Sequence, residues 1–167
     1  LYGQPFRPGI ASGGASDKFG HGTHIAGIIG GNGTKSTGSS FTKTFRGIAP
    51  GVNLVNLRVL NSFGAATDSL VIAAIQRAIQ LKNTYNIRVI NLSLGRPVYE
   101  SYKTDPLCQA VAQAWKAGIV VVVAAGNHGR NNSAGNKGYG TITSPGNSPY
   151  VITVGSMKSM GTPWRSD

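Results

Sequence analysis

The chain has 167 residues, with 16 lysines and arginines against 5 aspartates and glutamates, so its formal net charge is +11. This length can bury the core of one domain, and no apolar run reaches the roughly 18 residues that a membrane span needs. Charged residues make up only 13% of the chain and 24 residues are glycine, a composition that favours tight turns over disorder. The first residue is Leu1 rather than Met and no signal peptide pattern opens the chain, so we expect a processed or excised product.

The positive charge could indicate a nucleic-acid or other polyanion partner. However, the lysines and arginines are spread singly, with little aromatic interleaving. We therefore interpret the net charge as an excess of positive groups spread over the surface, and we expect no nucleic-acid partner. Polyanion binding is the alternative. The single cysteine, Cys108, has no intrachain disulfide partner, and we expect it to be buried as a small apolar residue.

The chain contains no internal repeat or interdomain linker, and its pattern alternates helices with strands. The predicted elements are irregular structure at 1–19, a helix at 21–30, a polar loop at 32–45, a strand at 52–60, a helix at 67–82 opened by Thr67 and Asp68, a strand at 88–94, a helix at 106–117 capped by Asp105, and strands at 119–124 and 150–154.

This alternation predicts an α/β fold in which a parallel sheet carries helices on both faces, in three α/β/α layers with right-handed crossovers. The run at 119–124 is continuously apolar, as expected of a strand covered on both faces. In such sheets functional groups gather at the carboxyl ends of the strands.

Residues 20–27 read G-H-G-T-H-I-A-G and place a titratable imidazole where a helix starts. The positive end of a helix favours the neutral imidazole, which is the form of a general base. The alternative is that His21 is a capping or core histidine.

Residues 124–127 read A-A-G-N and follow a predicted strand. At that rim Asn127 can present a side-chain donor suited to stabilising an oxyanion, and the glycine before it lets a substrate pass close to the backbone. The alternative is that residues 126–127 form only a turn.

Five stretches together resemble the subtilisin-like serine proteases, the subtilase family, over essentially the whole chain. They are the histidine motif at 21–27, G-I-A-P-G at 47–51 leading to V-L at 59–60, S-L-G at 93–95, A-G-N at 125–127, and S-P-G at 144–146 leading to Y-V-I-T-V-G at 150–155. The resemblance implies hydrolysis of polypeptide substrates by acyl transfer, with His21 as general base and Asn127 as oxyanion donor. It also implies a secreted or extracellular protein and a pocket for the side chain before the cut bond, lined by Ser93, Leu94, Gly95, Ala124, Ala125 and Gly126.

The sequence departs from the family pattern at the other two triad positions. It contains neither a V-[IL]-D-[ST]-G motif before His21, where Asp17 is the sole acid, nor a G-T-S-M-[AS] motif after the last predicted strand. We therefore expect residues 1–167 to be a partial catalytic domain that lacks the segments with the aspartate and serine motifs.

The missing segments suggest two consequences. Unpaired strand edges, above all around 52–60, should promote association into a homo-oligomer, so a non-catalytic self-associating or polyanion-binding fragment is the alternative function. A weak promiscuous esterase, with Ser93 recruited as nucleophile, is a further alternative.

No cofactor and no metal are expected. His21 and His24 could share an ion only with a third ligand, for which Asp17 and His128 are the candidates; otherwise His24 would pack beneath His21. The loop at 32–45 lacks the ordered Asn and Asp residues of a calcium site of the family.

Overall fold

The computed structural model describes residues 16–129 and 140–156. The chain divides into two compact units, one up to Ile87 and one from Arg88 onward. Most of the irregular segment predicted at 1–19 therefore lies outside the described residues, and residues 16–19 contain no helix or strand.

In the first unit, helix α1 spans His21–Gly30 as predicted, and Asp17 holds its start. One carboxylate oxygen of Asp17 accepts from the backbone N–H groups of Phe19 at 3.1 Å and Gly20 at 2.8 Å. The other oxygen accepts from the backbone N–H of Thr23 at 2.8 Å and from its hydroxyl at 3.0 Å. These bonds, first that from the Thr23 backbone, stabilise the carboxylate and lower the pKa of Asp17 to about 2.

The other end of α1 is fixed by the loop that follows the polar segment. The backbone N–H of Gly47 donates to the carbonyl of Gly31 at 2.8 Å, and that of Ala49 donates to the carbonyl of Ile29, also at 2.8 Å. A Cβ on Gly47 would lie 2.7 Å from the Ile29 carbonyl, so a side chain at this position would prevent the contact. The G-I-A-P-G motif therefore places its glycine where two backbone segments meet.

Helix α2, Asp68–Tyr85, also confirms its predicted position. The Thr67 side chain accepts from the backbone N–H of Leu70 at 3.4 Å, which satisfies one of the free donors at the helix start. Its buried residues recur at helical spacing and are Val71, Ala74, Ile75 and Ala78.

The prediction of a strand at 52–60 is wrong. Within the described residues this segment contains a single bridge residue, Val55, and no strand. Alternating apolar residues favour an extended chain, but a strand also needs a neighbour that pairs with its backbone along its length. Here Val52 and Leu54 instead place side chains against Gly30, where an added Cβ would meet them at 3.0 and 3.2 Å.

The second unit contains a three-stranded parallel sheet in the order β1 (Val89–Leu92), β2 (Val120–Ala124) and β3 (Ile152–Val154). Val89 pairs with Val120, and Val122 pairs with Ile152. The last three predicted strands therefore form, somewhat shorter than expected, and they lie side by side. Among the described residues the outer edge of β1 has no partner strand.

Helix α3, Pro106–Lys116, crosses from β1 to β2 and begins and ends as its sequence predicts. Asp105 accepts from the backbone N–H groups of Leu107 at 2.8 Å and Cys108 at 3.3 Å. At the other end Gly118 adopts the left-handed conformation at φ 75°, and the N–H of Ile119 donates to the carbonyl of Ala114 at 3.0 Å. This is the geometry with which glycine ends a helix.

The core of this unit lies between α3 and one face of the sheet. Helix α3 packs on β2, and Val121 and Val123, which alternate along β2, are 0% and 1% exposed. On the other face Val120 is 36% exposed and Ile152 is 53% exposed. The apolar run at 119–124 is therefore buried on one face and partly exposed on the other.

Asp17 should titrate as a carboxylate held by backbone donors. Because its pKa lies near 2 rather than at the usual 3.8, its contribution to stability is complete above about pH 4 and is lost as the pH falls through about 2. The amide NMR signals of Gly20 and Thr23 should shift with a midpoint near that lower value. Asp17→Asn keeps an acceptor without a titrating group and should abolish the shift, whereas a midpoint at the usual value would contradict the assignment.

The two faces of β2 should respond differently to the same truncation. Val121→Ala leaves a cavity against α3 and should lower the free energy of unfolding by about 2 kcal/mol. Val120→Ala carries the same loss of strand propensity on the exposed face and should cost less than about 1 kcal/mol. Urea denaturation compares the two, and equal losses would indicate that both faces are packed.

Candidate active site

The predicted site residues are distributed over both units: His21 lies in the first, and the pocket residues and Asn127 lie in the second. His21 is the first residue of α1, and its side chain is exposed. Its neighbours Gly20 and Thr23 both donate to Asp17. The backbone that carries the imidazole is therefore fixed on both sides by one carboxylate.

The sequence suggested that His24 packs beneath His21, whereas the structure leaves the His24 side chain exposed. None of the residues of α1 is fully buried. In the described part of the chain no three His, Cys, Asp or Glu side chains come together as metal ligands. Asp17, the candidate third ligand, instead binds four donors of its own loop and helix.

In the second unit two short segments follow neighbouring strands. Residues 93–95, here called the first wall, follow β1, and residues 124–126, the second wall, begin at the last residue of β2. Since β1 and β2 are adjacent and parallel, both walls lie at the carboxyl edge of the sheet. The sequence predicted that these six residues, to which the family resemblance assigns a pocket, follow two strand ends.

Residues 143–144, here called the linking segment, form backbone hydrogen bonds with the second wall and with Arg96, the residue after the first wall. The N–H of Thr143 donates to the carbonyl of Ala125 in the second wall at 3.0 Å. The N–H of Ser144 donates to the carbonyl of Arg96 at 2.9 Å, and the N–H of Arg96 donates back to Ser144 at 3.0 Å. One short stretch of chain is therefore hydrogen-bonded both to the second wall and to the residue that directly follows the first wall.

Thr143 fills the space between the walls, a role that the sequence did not reveal. A Cβ on Gly95 would collide with the Thr143 hydroxyl, and one on Gly126 would lie 2.9 Å from its methyl group. Thr143 is itself 5% exposed. In the sequence, Gly95 and Gly126 indicate that some other group comes close to the backbone at these positions. They do not indicate that this group is Thr143.

Asn127 follows Gly126, whose φ of 106° is a conformation suited to glycine. The Asn127 side chain is exposed. The structure thus places this amide at the end of the second wall, where the sequence expected a donor directed outward from the sheet.

Cys108 is buried, as predicted. It is 1% exposed, and its thiol lies 3.3 Å from the Asn147 side-chain oxygen and 3.8 Å from the Ser144 hydroxyl. Burial raises the pKa of this thiol, so the protonated form dominates at neutral pH, and this form is a poor nucleophile. A cavity of about 250 Å³ beside it is lined by none of the predicted site residues.

Comparison with known proteins identifies the family. The family model described as "Subtilase family" matches residues 11–164. The chain is 40% identical over 151 residues to Serine protease AprX of Bacillus subtilis (strain 168), covering 87% of this chain and 31% of that protein. It is 38% identical to Subtilisin DY of Bacillus licheniformis over 144 residues, covering 86% of this chain and 45% of that protein.

Solved structures agree with the sequence comparison. A cold-adapted subtilisin-like serine proteinase superposes with a TM-score of 0.63 at 34% identity, covering 86% of this chain and 42% of that one. Sphericase superposes with a TM-score of 0.66 at 29% identity, covering 88% of this chain and 44% of that one. The chain thus spans less than half the length of these relatives, with the predicted incomplete α/β fold. It belongs to the subtilase family.

Proposed function

We propose that this chain contributes the general base and the substrate-binding walls of a subtilisin-like serine endopeptidase. The observation that carries the proposal is the pair of glycine-containing walls at the carboxyl edge of adjacent parallel strands, joined by the linking segment. Such an edge is where α/β proteins bind their ligands. Membership of the subtilase family supports peptide-bond hydrolysis by acyl transfer as the reaction.

In this proposal His21 accepts the proton of the attacking serine and then returns it to the leaving amine. The exposed amide of Asn127 donates to the oxyanion of the tetrahedral intermediate. The 167-residue sequence contains neither the serine motif nor the aspartate motif of the family. We therefore propose that residues 1–167 form the central part of a catalytic domain whose other two triad residues come from outside this sequence.

The proposed substrate is a polypeptide whose side chain before the cut bond enters between the two walls. Thr143 occupies the space that Gly95 and Gly126 leave by lacking a Cβ atom, so in this proposal it forms the floor against which the substrate side chain packs. We also propose secretion of the protein, by its resemblance to the family. Within the part of the chain that the structure describes, no helix has the length and apolar character to cross a membrane.

The two proposed catalytic side chains can be tested on an activated nitrophenyl ester. An imidazole and a preorganised donor contribute about 10² to 10³ in rate without a full triad, so His21→Ala and Asn127→Ala should each reduce the hydrolysis rate toward the uncatalysed value. Turnover of casein should be negligible, because loss of triad residues costs on the order of 10⁴ to 10⁶.

His24→Ala is the matched control, since His24 is a second exposed imidazole on the same helix. It should hydrolyse the ester at the rate of the unsubstituted chain. Equal rates for all four proteins would remove His21 and Asn127 from the proposed site, and normal casein turnover would refute the partial-domain proposal.

A second candidate function, self-association, is favoured by the exposed face of the sheet. Val89, Ile152 and Val154 are each more than half exposed on the face opposite α3, and the outer edge of β1 is unpaired among the described residues. Exposed apolar faces and open edges promote association.

The oligomeric state should depend on that face. We expect the chain to sediment as an oligomer at micromolar concentration, and Ile152→Ser together with Val154→Ser should shift it toward the monomer. Val98→Ser removes an apolar side chain that is 44% exposed but lies outside the strands, and should leave the oligomer unchanged. A wild-type monomer at these concentrations would exclude self-association as the function.

A further inference from the structure

Arg96 follows the first wall directly and connects it to two other segments of the second unit. Its backbone N–H and carbonyl both bond to Ser144 of the linking segment, while its side chain extends to the start of α3. There the guanidinium Nη2 lies 3.1 Å from an oxygen of Asp105. One residue thus joins the first wall, the linking segment and the helix that packs on β2.

The carboxylate that receives Arg96 is completely buried. Its Oδ1 atom accepts from Arg96 and from the backbone N–H groups of Leu107 and Cys108. Its Oδ2 atom is buried and has no hydrogen-bond partner among the described residues. Since a buried carboxylate with one unsatisfied oxygen is stable only beside an opposite charge, Asp105 constrains Arg96 to this position.

The guanidinium is fixed on further sides as well. It lies over the ring of Tyr99, 5.1 Å from the centroid, and its Nη1 donates to the carbonyl of Pro97 at 3.0 Å. Its side chain is only 17% exposed. A cation held in this way is already neutralised and oriented, so it does not serve as a recognition site for an acidic substrate residue.

We propose that Arg96 and Asp105 form a positioning pair that holds the first wall at a fixed distance from the second wall. The pair thereby sets the width of the proposed substrate pocket between them. This inference rests on the proposed function of the walls. Gly95 is in contact with Thr143, so the first wall cannot move inward. Outward movement is opposed by the Arg96–Ser144 backbone bridge, which the ion pair anchors to the buried start of α3. Loss of the pair should loosen this bridge and weaken peptide binding, whatever the charge of the peptide.

The test combines Arg96→Met with Asp105→Asn in the 167-residue chain. The asparagine keeps an acceptor for the start of α3 and leaves no unpaired buried charge, so the variant should fold. Amide hydrogen exchange at Arg96 and Ser144 reports the bridge, and exchange at Val121 and Val123 reports the core. We expect the bridge amides to exchange at least about tenfold faster and the core amides to stay within about twofold.

Two further variants separate the ion pair from simpler effects. Lys116→Met removes one positive charge from an exposed position on α3 and should leave all four amides unchanged. Arg96→Lys keeps a cation beside Asp105 and should restore part of the protection at the bridge. Unchanged exchange at Arg96 and Ser144 in the double variant, or an equal increase in the core, would overturn the proposal.

Peptide binding supplies a readout that general destabilisation does not explain. Two tetrapeptide amides, one ending in leucine and one in glutamate, are titrated into the unsubstituted chain and the double variant. We expect the Kd of both peptides to rise about tenfold in the double variant. Loss of affinity for the acidic peptide alone would show that Arg96 reads substrate charge and would overturn the positioning role. If the unsubstituted chain binds neither peptide, the proposed function fails, while the exchange rates still decide the role of the pair.

Discussion

The second unit of this molecule depends on the backbone hydrogen bonds that tie residues 143–144 to the loops after β1 and β2. Adjacent parallel strands bring their carboxyl ends to one edge, but they do not fix the loops that follow. Here Thr143 binds Ala125 and Ser144 binds Arg96, so the loops after β1 and β2 are held by a common third segment. The walls can then carry glycine, the least constrained residue, without losing their shape.

Much of the fold could be predicted because local chemistry and tertiary structure agree. Thr67 and Asp105 are side chains that satisfy the first N–H groups of a helix, and the structure places both as caps. Gly118 ends α3 as its position predicts. The segment 52–60 carries an equally good strand pattern and forms no strand within the described residues, because pairing depends on a neighbour that no local pattern encodes.

The candidate site was predictable to a different extent. The walls follow from the strand ends, and Asn127 follows from its place after the second wall. Thr143 could not be identified, since a threonine before S-P-G has no local feature that distinguishes it from a surface residue. In the sequence Arg96 is one of many singly spread cations, whereas the structure buries most of its side chain against Asp105. The partner of a cation is set by tertiary contacts, so sequence alone could not separate this arginine from the exposed lysines.

Two of the five acidic residues accept hydrogen bonds at the start of a helix, one near the surface and one in the core. Asp17 is close to solvent, has donors on both oxygens and has a lowered pKa, so hydrogen bonds from its own loop and helix stabilise this carboxylate. Asp105 is completely buried with donors on one oxygen only, and it requires the charge of Arg96. Near the surface, hydrogen bonds alone stabilise the carboxylate at the start of α1, whereas the buried carboxylate at the start of α3 also binds a cation. In our proposal that ion pair holds the first wall.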